Sequence, residues 1–216
     1  MDYRSNIIII DGPAGTGKSL VSIYGALLAY EDQGFDEILY LRTAVESASK
    51  SLGYLKGDMD EKFSVYRAVL DDKIEELVSE GCHAGLPLDA APINYIRGSS
   101  WRDKFVVADE AQNFSVDEIK TLMTRIGSGT RLVICGDSQQ KDIRNSGIDL
   151  IKELFNNPES ESAGIRFFQL TSKDIVRSEI VRFIVETFED HYKPKSVEVP
   201  PVFVKENIDD EWCPSH

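Results

Sequence analysis

The fold class is decided by the stretch Ile7-Ile8-Ile9-Ile10-Asp11-Gly12-Pro13-Ala14-Gly15-Thr16-Gly17-Lys18-Ser19. Four consecutive β-branched residues at its start predict a central strand that is buried on both faces. The segment Gly12–Ser19 then matches the phosphate-binding loop pattern, and it lies between this strand and a predicted helix, as the pattern requires. The alternative is a glycine-rich turn without a ligand, which the full match in this context disfavours.

The chemistry of this loop predicts a nucleoside triphosphate ligand, ATP, with Mg²⁺. Glycines let successive backbone N–H groups face phosphate oxygens, and the helix N-terminus attracts negative charge. Lys18 is expected to neutralise the β- and γ-phosphates, and the Ser19 hydroxyl to ligate Mg²⁺. The predicted nucleotide-binding residues are Gly12, Pro13, Ala14, Gly15, Thr16, Gly17, Lys18 and Ser19.

Strands and helices alternate along the rest of the chain. The apolar residues of the predicted first helix recur at helical spacing, namely Leu20, Ile23, Tyr24, Leu27 and Leu28. After this helix, the sequence predicts strands at Glu37–Leu41, Ile93–Ile96, Phe105–Ala108, Leu132–Cys135 and Ile165–Leu170, the last of them a core strand. Helices are predicted from Asp58 to near Gly81, from Ser115 to Gly127, over Gly147–Phe155, and over Lys173–Glu189. The pattern indicates a three-layer α/β fold with a mainly parallel sheet and ligands at the carboxyl ends of the strands.

A second acidic element indicates the reaction class. The apolar stretch Phe105–Ala108 ends in Asp109 and Glu110, which places two carboxylates at the carboxyl end of a predicted strand. Asp109 is expected to bind the metal, and Glu110 to polarise a water for attack on the γ-phosphate. This favours hydrolysis over transfer to a metabolite. Two solvated acids at a strand end are the alternative.

A third polar segment follows the next predicted strand, at Gly136–Gln140. A glutamine there is placed to hydrogen-bond the γ-phosphate or the attacking water, and Gln140 is preferred to Gln139. An ordinary turn rich in Asp, Ser and Gln is an equal alternative on spacing alone.

Composition and charge indicate which partners and which cellular location to expect. The net charge is −13 over 216 residues, which argues against a broad basic surface for nucleic acid and leaves only a local groove open. Three scattered cysteines and the lack of a long apolar run predict a cytoplasmic protein with no membrane segment. We expect one domain over residues 1–193 and an acidic tail over 194–216.

Together these segments resemble the PhoH-like family of P-loop ATPases, which is similar to the first motor domain of superfamily-one helicases. The resemblance runs from Ile7 to Phe188 and implies a RecA-like P-loop NTPase core with Walker A and Walker B elements. Its specific pieces include Leu41-Arg42, Leu52-Gly53-Tyr54-Leu55, Tyr95-Ile96-Arg97-Gly98, Asp109-Glu110-Ala111-Gln112-Asn113, Thr124-Arg125-Ile126-Gly127 and Asp174-Ile175-Val176-Arg177.

The chain departs from the family pattern at several positions. Thr43 and Lys56 replace family prolines, and Ser99 replaces an arginine. Only Met1–Asn6 precede the first strand, where relatives carry a stretch that resembles the adenine pocket of helicases. The resemblance therefore implies coupling to RNA or single-stranded nucleic acid but leaves adenine selectivity open.

An arginine is needed to cover the charge that develops on the γ-phosphoryl group, and it is worth about 10³–10⁵ in rate. The chain is too short for a second motor domain, so we expect a neighbouring subunit to supply it in a homo-oligomeric ring, such as a hexamer. Arg177 is the first candidate and Arg125 the second. Surface charges are the alternative for both, as for Arg42 and Arg97.

Two other functions compete with a polynucleotide-coupled ATPase. One is an oligomeric scaffold that binds nucleotide and turns it over little. The other is a small-molecule kinase, which Glu110 disfavours.

Overall fold

A single six-stranded parallel sheet organises the molecule. The computed structural model describes residues 6–43, 59–77, 85–96, 100–140, 143, 146–176, 179, 180, 183 and 187. The strands are β1 Ile7–Asp11, β2 Glu37–Arg42, β3 Leu88–Pro92, β4 Lys104–Ala108, β5 Arg131–Gly136 and β6 Ile165–Gln169. Their order in the sheet is β3-β2-β4-β5-β1-β6, and every pairing is parallel. The predicted α/β class with a parallel sheet is confirmed.

Helices cover both faces of the sheet. Within the described ranges the helices with defined bounds are α1 Lys18–Gln33, α2 Met59–Glu75, α3 Val116–Met123, α4 Gly147–Phe155 and α5 Pro158–Ser162. Short 3₁₀ segments lie at Ile93–Ile96, Ala111–Asn113 and Ser172–Asp174. None of the helices in the described ranges combines the length and apolar character that a membrane span needs.

Alternation along the buried strands divides the core into two layers. Ile8, Tyr40 and Val107 face one side, where residues of α1 and α2 cover them. Ile9 and Val106 face the other side, against residues of α3 and α4. This three-layer arrangement places the carboxyl ends of β4, β5 and β1 side by side at one edge.

Helix α3 shows how local sequence sets an element's start. Ser115 Oγ accepts a hydrogen bond from the Glu118 backbone N–H at 3.3 Å, and the Glu118 carboxylate accepts one from the Ser115 N–H at 2.8 Å. This is the predicted capping box. The helix ends at Met123 instead of near Gly127. Gly127 serves close packing, because a Cβ there would lie 2.2 Å from the Trp101 carbonyl oxygen.

The strand predicted at Ile93–Ile96 is wrong, because this segment is a 3₁₀ helix. Ile93 and Ile96 are both buried, and their three-residue spacing fits the three residues per turn of that helix. The strand beside β2 is instead Leu88–Pro92, which lies at the sheet edge and exposes Asp89. An edge strand needs no continuous apolar run, so the sequence pattern did not indicate it.

Two further expectations need correction. The β6 strand is an edge strand, and its Phe168 side chain is half-exposed, so it is not a core strand. In α1, Ile23 and Leu27 are buried as predicted, whereas Tyr24 and Leu28 are exposed. Of the helix predicted over Lys173–Glu189, only Glu179, Ile180, Phe183 and Thr187 are described as helical. The tail 194–216 lies outside the described residues.

Candidate nucleotide site

The phosphate loop is shaped by its own backbone. Gly15 and Gly17 have φ values of +85° and +75°, in the left-handed region that favours glycine. The Thr16 hydroxyl donates to the Pro13 carbonyl at 2.8 Å and closes the turn. Helix α1 begins at Lys18, so the loop ends at a helix N-terminus, where anions bind favourably.

Lys18 folds back across this loop. Its Nζ donates to the carbonyls of Gly12 at 2.6 Å and Pro13 at 2.8 Å. Both partners are neutral, so these contacts leave the ammonium charge uncompensated. The loop therefore presents a positive group next to a helix N-terminus, which is suited to a phosphate chain.

Asp109 faces the loop from the end of β4. It is 2% exposed, and its Oδ1 accepts a hydrogen bond from Ser19 Oγ at 2.6 Å. Its Oδ2 accepts one from the Tyr40 hydroxyl at 2.5 Å. Burial and the adjacent Asp109 carboxylate raise the pKa of Tyr40 well above its usual value, so the phenol stays a neutral donor. Asp109 is thus fixed against the phosphate loop.

Glu110 follows in an unusual conformation. Its φ is +57°, a left-handed value that is uncommon for a residue with a side chain. Gln112 Nε2 donates to Glu110 Oε2 at 2.6 Å, and Arg42 Nη2 lies 3.4 Å from Glu110 Oε1. Both carboxylate oxygens therefore have a positioned donor, while the side chain keeps 39% exposure.

The turn after β5 joins this edge. Asp137 is 4% exposed, its Oδ1 accepts from the Gln139 N–H at 3.0 Å, and its Oδ2 is buried without a hydrogen-bond partner. Burial raises the pKa of Asp137, although the Gln139 N–H and Lys18 oppose the shift. A buried, unpartnered carboxylate oxygen beside the phosphate loop indicates a place for a polar ligand.

Asp11 anchors the same turn from the end of β1. Its carboxylate accepts from the Ser138 N–H and Oγ, both at 2.8 Å, and from Lys152 Nζ at 2.7 Å. Burial alone would raise the pKa of Asp11, but the hydrogen bonds from Lys152 and Ser138 hold that pKa below its ordinary value of 3.8. The carboxylate is therefore a fixed charge.

The phosphate loop, the two acids that follow β4 and the turn that follows β5 line one cavity of about 370 Å³. Its lining includes Ala14, Gly15, Gly17, Lys18 and Ser19 of the phosphate loop. On the opposite side it includes Asp109 and Glu110 after β4, and Asp137 and Gln140 after β5. The structure thus brings the two predicted acids and the predicted glutamine to the loop. The hydroxyl and carboxylate oxygens of Ser19 and Asp109 are the hard ligands that suit Mg²⁺.

Comparison with known proteins agrees with this geometry. The family model described as PhoH-like protein matches residues 1–189. The chain belongs to the PhoH-like family. It is therefore a nucleotide-binding domain of the P-loop NTPase type.

The curated relatives of this PhoH-like chain are longer than it is. A PhoH-like protein of Synechocystis sp. is 33% identical over 198 residues, which cover 86% of this chain and 57% of the relative. A PhoH-like protein of Bacillus subtilis is 33% identical over 193 residues, which cover 86% of this chain and 59% of the relative. The chain thus spans somewhat more than half the length of these relatives.

The predicted trans arginines are not part of the described cavity. Arg125 lies between α3 and β5, and its carbonyl accepts from the Trp101 N–H at 3.1 Å, near the amino end of β4. Arg125 therefore lies near the amino ends of the strands, opposite to the carboxyl ends that carry Asp109 and Glu110. Its Nε is buried without a hydrogen-bond partner. Arg177 lies outside the described residues, as does Arg97.

Several residues of this PhoH-like site had no signal in the sequence. Tyr40 and Asp11 occupy strand positions, where they look like a core residue and a strand terminator. Gln112 belongs to a quoted motif, but its partners were not predicted. Arg42 was weighed as a surface charge and instead contacts Glu110. Trp101 is 2% exposed and packs in the core, so its ring is not available to stack a base.

Proposed function

We propose that this PhoH-like domain binds ATP with Mg²⁺ and hydrolyses it. The observation that carries the proposal is the placement of Glu110, a partly exposed carboxylate, in the same cavity as Lys18, Ser19 and Asp109. A solvent-reachable base beside a phosphate loop favours attack by water.

Each side chain has a role that follows from its position. Lys18 can leave its two carbonyl partners for phosphate oxygens, which are stronger acceptors because they are charged. Ser19 and Asp109 would hold Mg²⁺, which supplies charge neutralisation for the triphosphate when bound. Glu110 takes the proton from the attacking water, and Gln140 contacts the γ-phosphate or that water.

The test is the substitution Glu110→Gln, which keeps the size of the side chain and removes its basicity. We expect nucleotide affinity within about twofold of wild type and a loss of turnover of at least about 100-fold, as for removal of a general base. Phosphate release and binding of a fluorescent ATP analogue measure the two quantities. Undiminished turnover in Glu110→Gln would refute the assignment of the base.

The matched control is Glu118→Gln, in the capping box of α3. It changes a glutamate of similar exposure and should alter stability but not turnover. Little hydrolysis by the wild-type chain under all conditions would instead support a nucleotide-binding scaffold. Transfer of the γ-phosphoryl group to a metabolite would support a kinase.

We further propose that RNA or single-stranded nucleic acid controls the turnover. Arg42 supports this idea, because it is a cation at the carboxyl edge of the sheet that already contacts Glu110. A polynucleotide phosphate bound near this edge would compete for its guanidinium. Turnover measured across RNA and DNA oligonucleotides tests the coupling, and rates that do not respond would contradict it.

Finally, we propose a homo-oligomer, in the form of a ring, in which a neighbouring subunit supplies an arginine, Arg177 first and Arg125 second. The position of Arg125, far from the cavity of its own chain, fits a role in trans only. Mass measurement combined with mixing of Lys18→Ala and Arg177→Ala chains tests this arrangement. A monomer with full activity would contradict it. The cytoplasmic location remains a prediction.

A further inference from the structure

Gln112 connects Glu110, which follows β4, with Asp137, which follows β5. Gln112 is 5% exposed, and its amide Nε2 donates to Glu110 Oε2 at 2.6 Å while its Oε1 accepts from the Asp137 N–H at 3.1 Å. The orientation of the amide follows from its partners, because a backbone N–H can only donate and a carboxylate accepts. Among side chains of this length, the glutamine amide offers both a donor and an acceptor in neutral form without having to be protonated.

The far end of this connection is itself fixed. Asp137 begins the turn that carries Gln140, and the Asp11 carboxylate holds the same turn through Ser138. The Gln112 carbonyl also accepts from Ser146 Oγ at 2.7 Å, which anchors the backbone of the 3₁₀ segment. The amide therefore lies between the base and an anchored turn.

Packing around this amide leaves it little freedom. A Cβ on Gly136 would lie 3.0 Å from the Gln112 backbone nitrogen and 3.1 Å from Gln112 Oε1. The glycine at the end of β5 thus lets the amide approach the strand. By contrast, the second donor to Glu110, Arg42, lies at 3.4 Å and is partly exposed, so it can be displaced more easily.

We propose that Gln112 is a positioning residue that holds Glu110 in its working orientation and ties it to the turn bearing Gln140. Gln112 lines the cavity, and it acts on the reaction through Glu110. A base displaced by about 1 Å loses roughly 10²-fold in rate, so a single buried hydrogen bond can matter greatly here. This inference rests on the proposed hydrolysis by Glu110.

The experiment compares Gln112→Met with wild type in single-turnover hydrolysis and in equilibrium binding of ATP. We expect a fall in the hydrolysis rate of about 10- to 100-fold, with ATP affinity changed less than about threefold. Gln139→Met is the matched control, because Gln139 is an exposed glutamine on the same turn. That control should hydrolyse at the wild-type rate.

A double-mutant cycle separates positioning from a structural role. If Gln112 acts through the base, Gln112→Met in a Glu110→Gln background lowers the residual rate less than about twofold. An equal loss in both backgrounds, or an unchanged rate in Gln112→Met, overturns the proposal. Gln112→Asn is a second variant: it keeps a neutral amide that is one methylene too short to bridge Glu110 and the Asp137 N–H, so it should also hydrolyse slowly.

The same measurements distinguish failure of this inference from failure of the proposed function. A wild-type rate no higher than that of Lys18→Ala would remove both. A wild-type rate that depends on Glu110 but not on Gln112 removes only the positioning role.

Discussion

The phosphate loop, Gly12–Ser19, and the acidic edge, formed by Asp109, Glu110 and Asp137, face each other across one cavity. The contacts that hold these two regions differ. The side-chain bonds within the loop join residues three to six positions apart, such as Thr16 with Pro13 and Lys18 with Gly12. Backbone bonds from the Gly12 N–H to Gly136 and from the Val176 N–H to Gly15 attach the loop to the rest of the fold. Asp109 is held by Ser19 and Tyr40, which are 90 and 69 positions away. The side-chain bonds of the loop are local, whereas those of the acidic edge form only when the sheet has formed.

Because of this difference, nucleotide binding and turnover should depend on the fold in different ways. The side-chain bonds within the loop depend mainly on its own residues and on the start of α1. A carboxylate held by distant elements shifts whenever one of those elements shifts. Substitutions in the loop should therefore act on nucleotide binding, and substitutions behind the acids on stability and turnover.

The largest expected effect comes from Lys18→Ala. Loss of the charge-assisted bonds to phosphate should weaken ATP binding by about 100-fold, equivalent to about 3 kcal/mol. Isothermal titration with a slowly hydrolysed analogue measures the affinity. Lys120→Ala, an exposed lysine on α3, is the control and should bind normally. An unchanged affinity for ATP in Lys18→Ala would contradict the role of Lys18 in phosphate binding.

The same contrast explains what the sequence could predict. The loop was predicted in full because all of its determinants are contiguous. Asp109 and Glu110 were predicted because a parallel sheet brings strand ends together, but the partners that hold them were not. Tyr40 has the spacing of a core residue, and a pattern of alternating apolar residues does not show which hydroxyl meets a buried carboxylate.

The fold shows a similar limit. Strands buried on both faces, such as β1 and β5, were predicted from their continuous apolar runs. Edge strands have weaker patterns, so β3 was missed and β6 was expected in the core. The segment Ile93–Ile96 is too short for its apolar spacing to distinguish a strand from a 3₁₀ turn, and tertiary packing decided between them.

A smaller effect, on stability, is expected for Tyr40→Phe, which tests the contacts that hold Asp109. Removing the hydroxyl leaves Asp109 Oδ2 buried without its donor, which should lower the free energy of unfolding by about 2–3 kcal/mol. Urea denaturation measures this change. Tyr66→Phe is the control, because Tyr66 packs against the same core layer without contacting Asp109. Equal stabilities of the two variants would contradict a special role for the Tyr40 hydroxyl.

The smallest expected effect is the pH dependence of Asp11→Asn. The pKa of Asp11 lies below 3.8 in the folded chain, so its ionised form stabilises the fold above the unfolded pKa, and this stabilisation is lost as pH falls through the folded pKa. Asp11→Asn removes the charge at every pH. It should therefore cost about 1–2 kcal/mol of unfolding free energy at pH 7, and less as the pH approaches 3.

Denaturation at pH 7, 5 and 3.5 follows this difference, with Glu161→Gln as the control. Glu161 pairs with Arg166 at 3.3 Å but is 58% exposed, so its loss should cost less than about 1 kcal/mol. Asp11 spans the two regions compared above, because it precedes the phosphate loop and holds the turn that bears Gln140. If its loss changes stability equally at all three pH values, the stabilisation does not come from the ionised form of this carboxyl group.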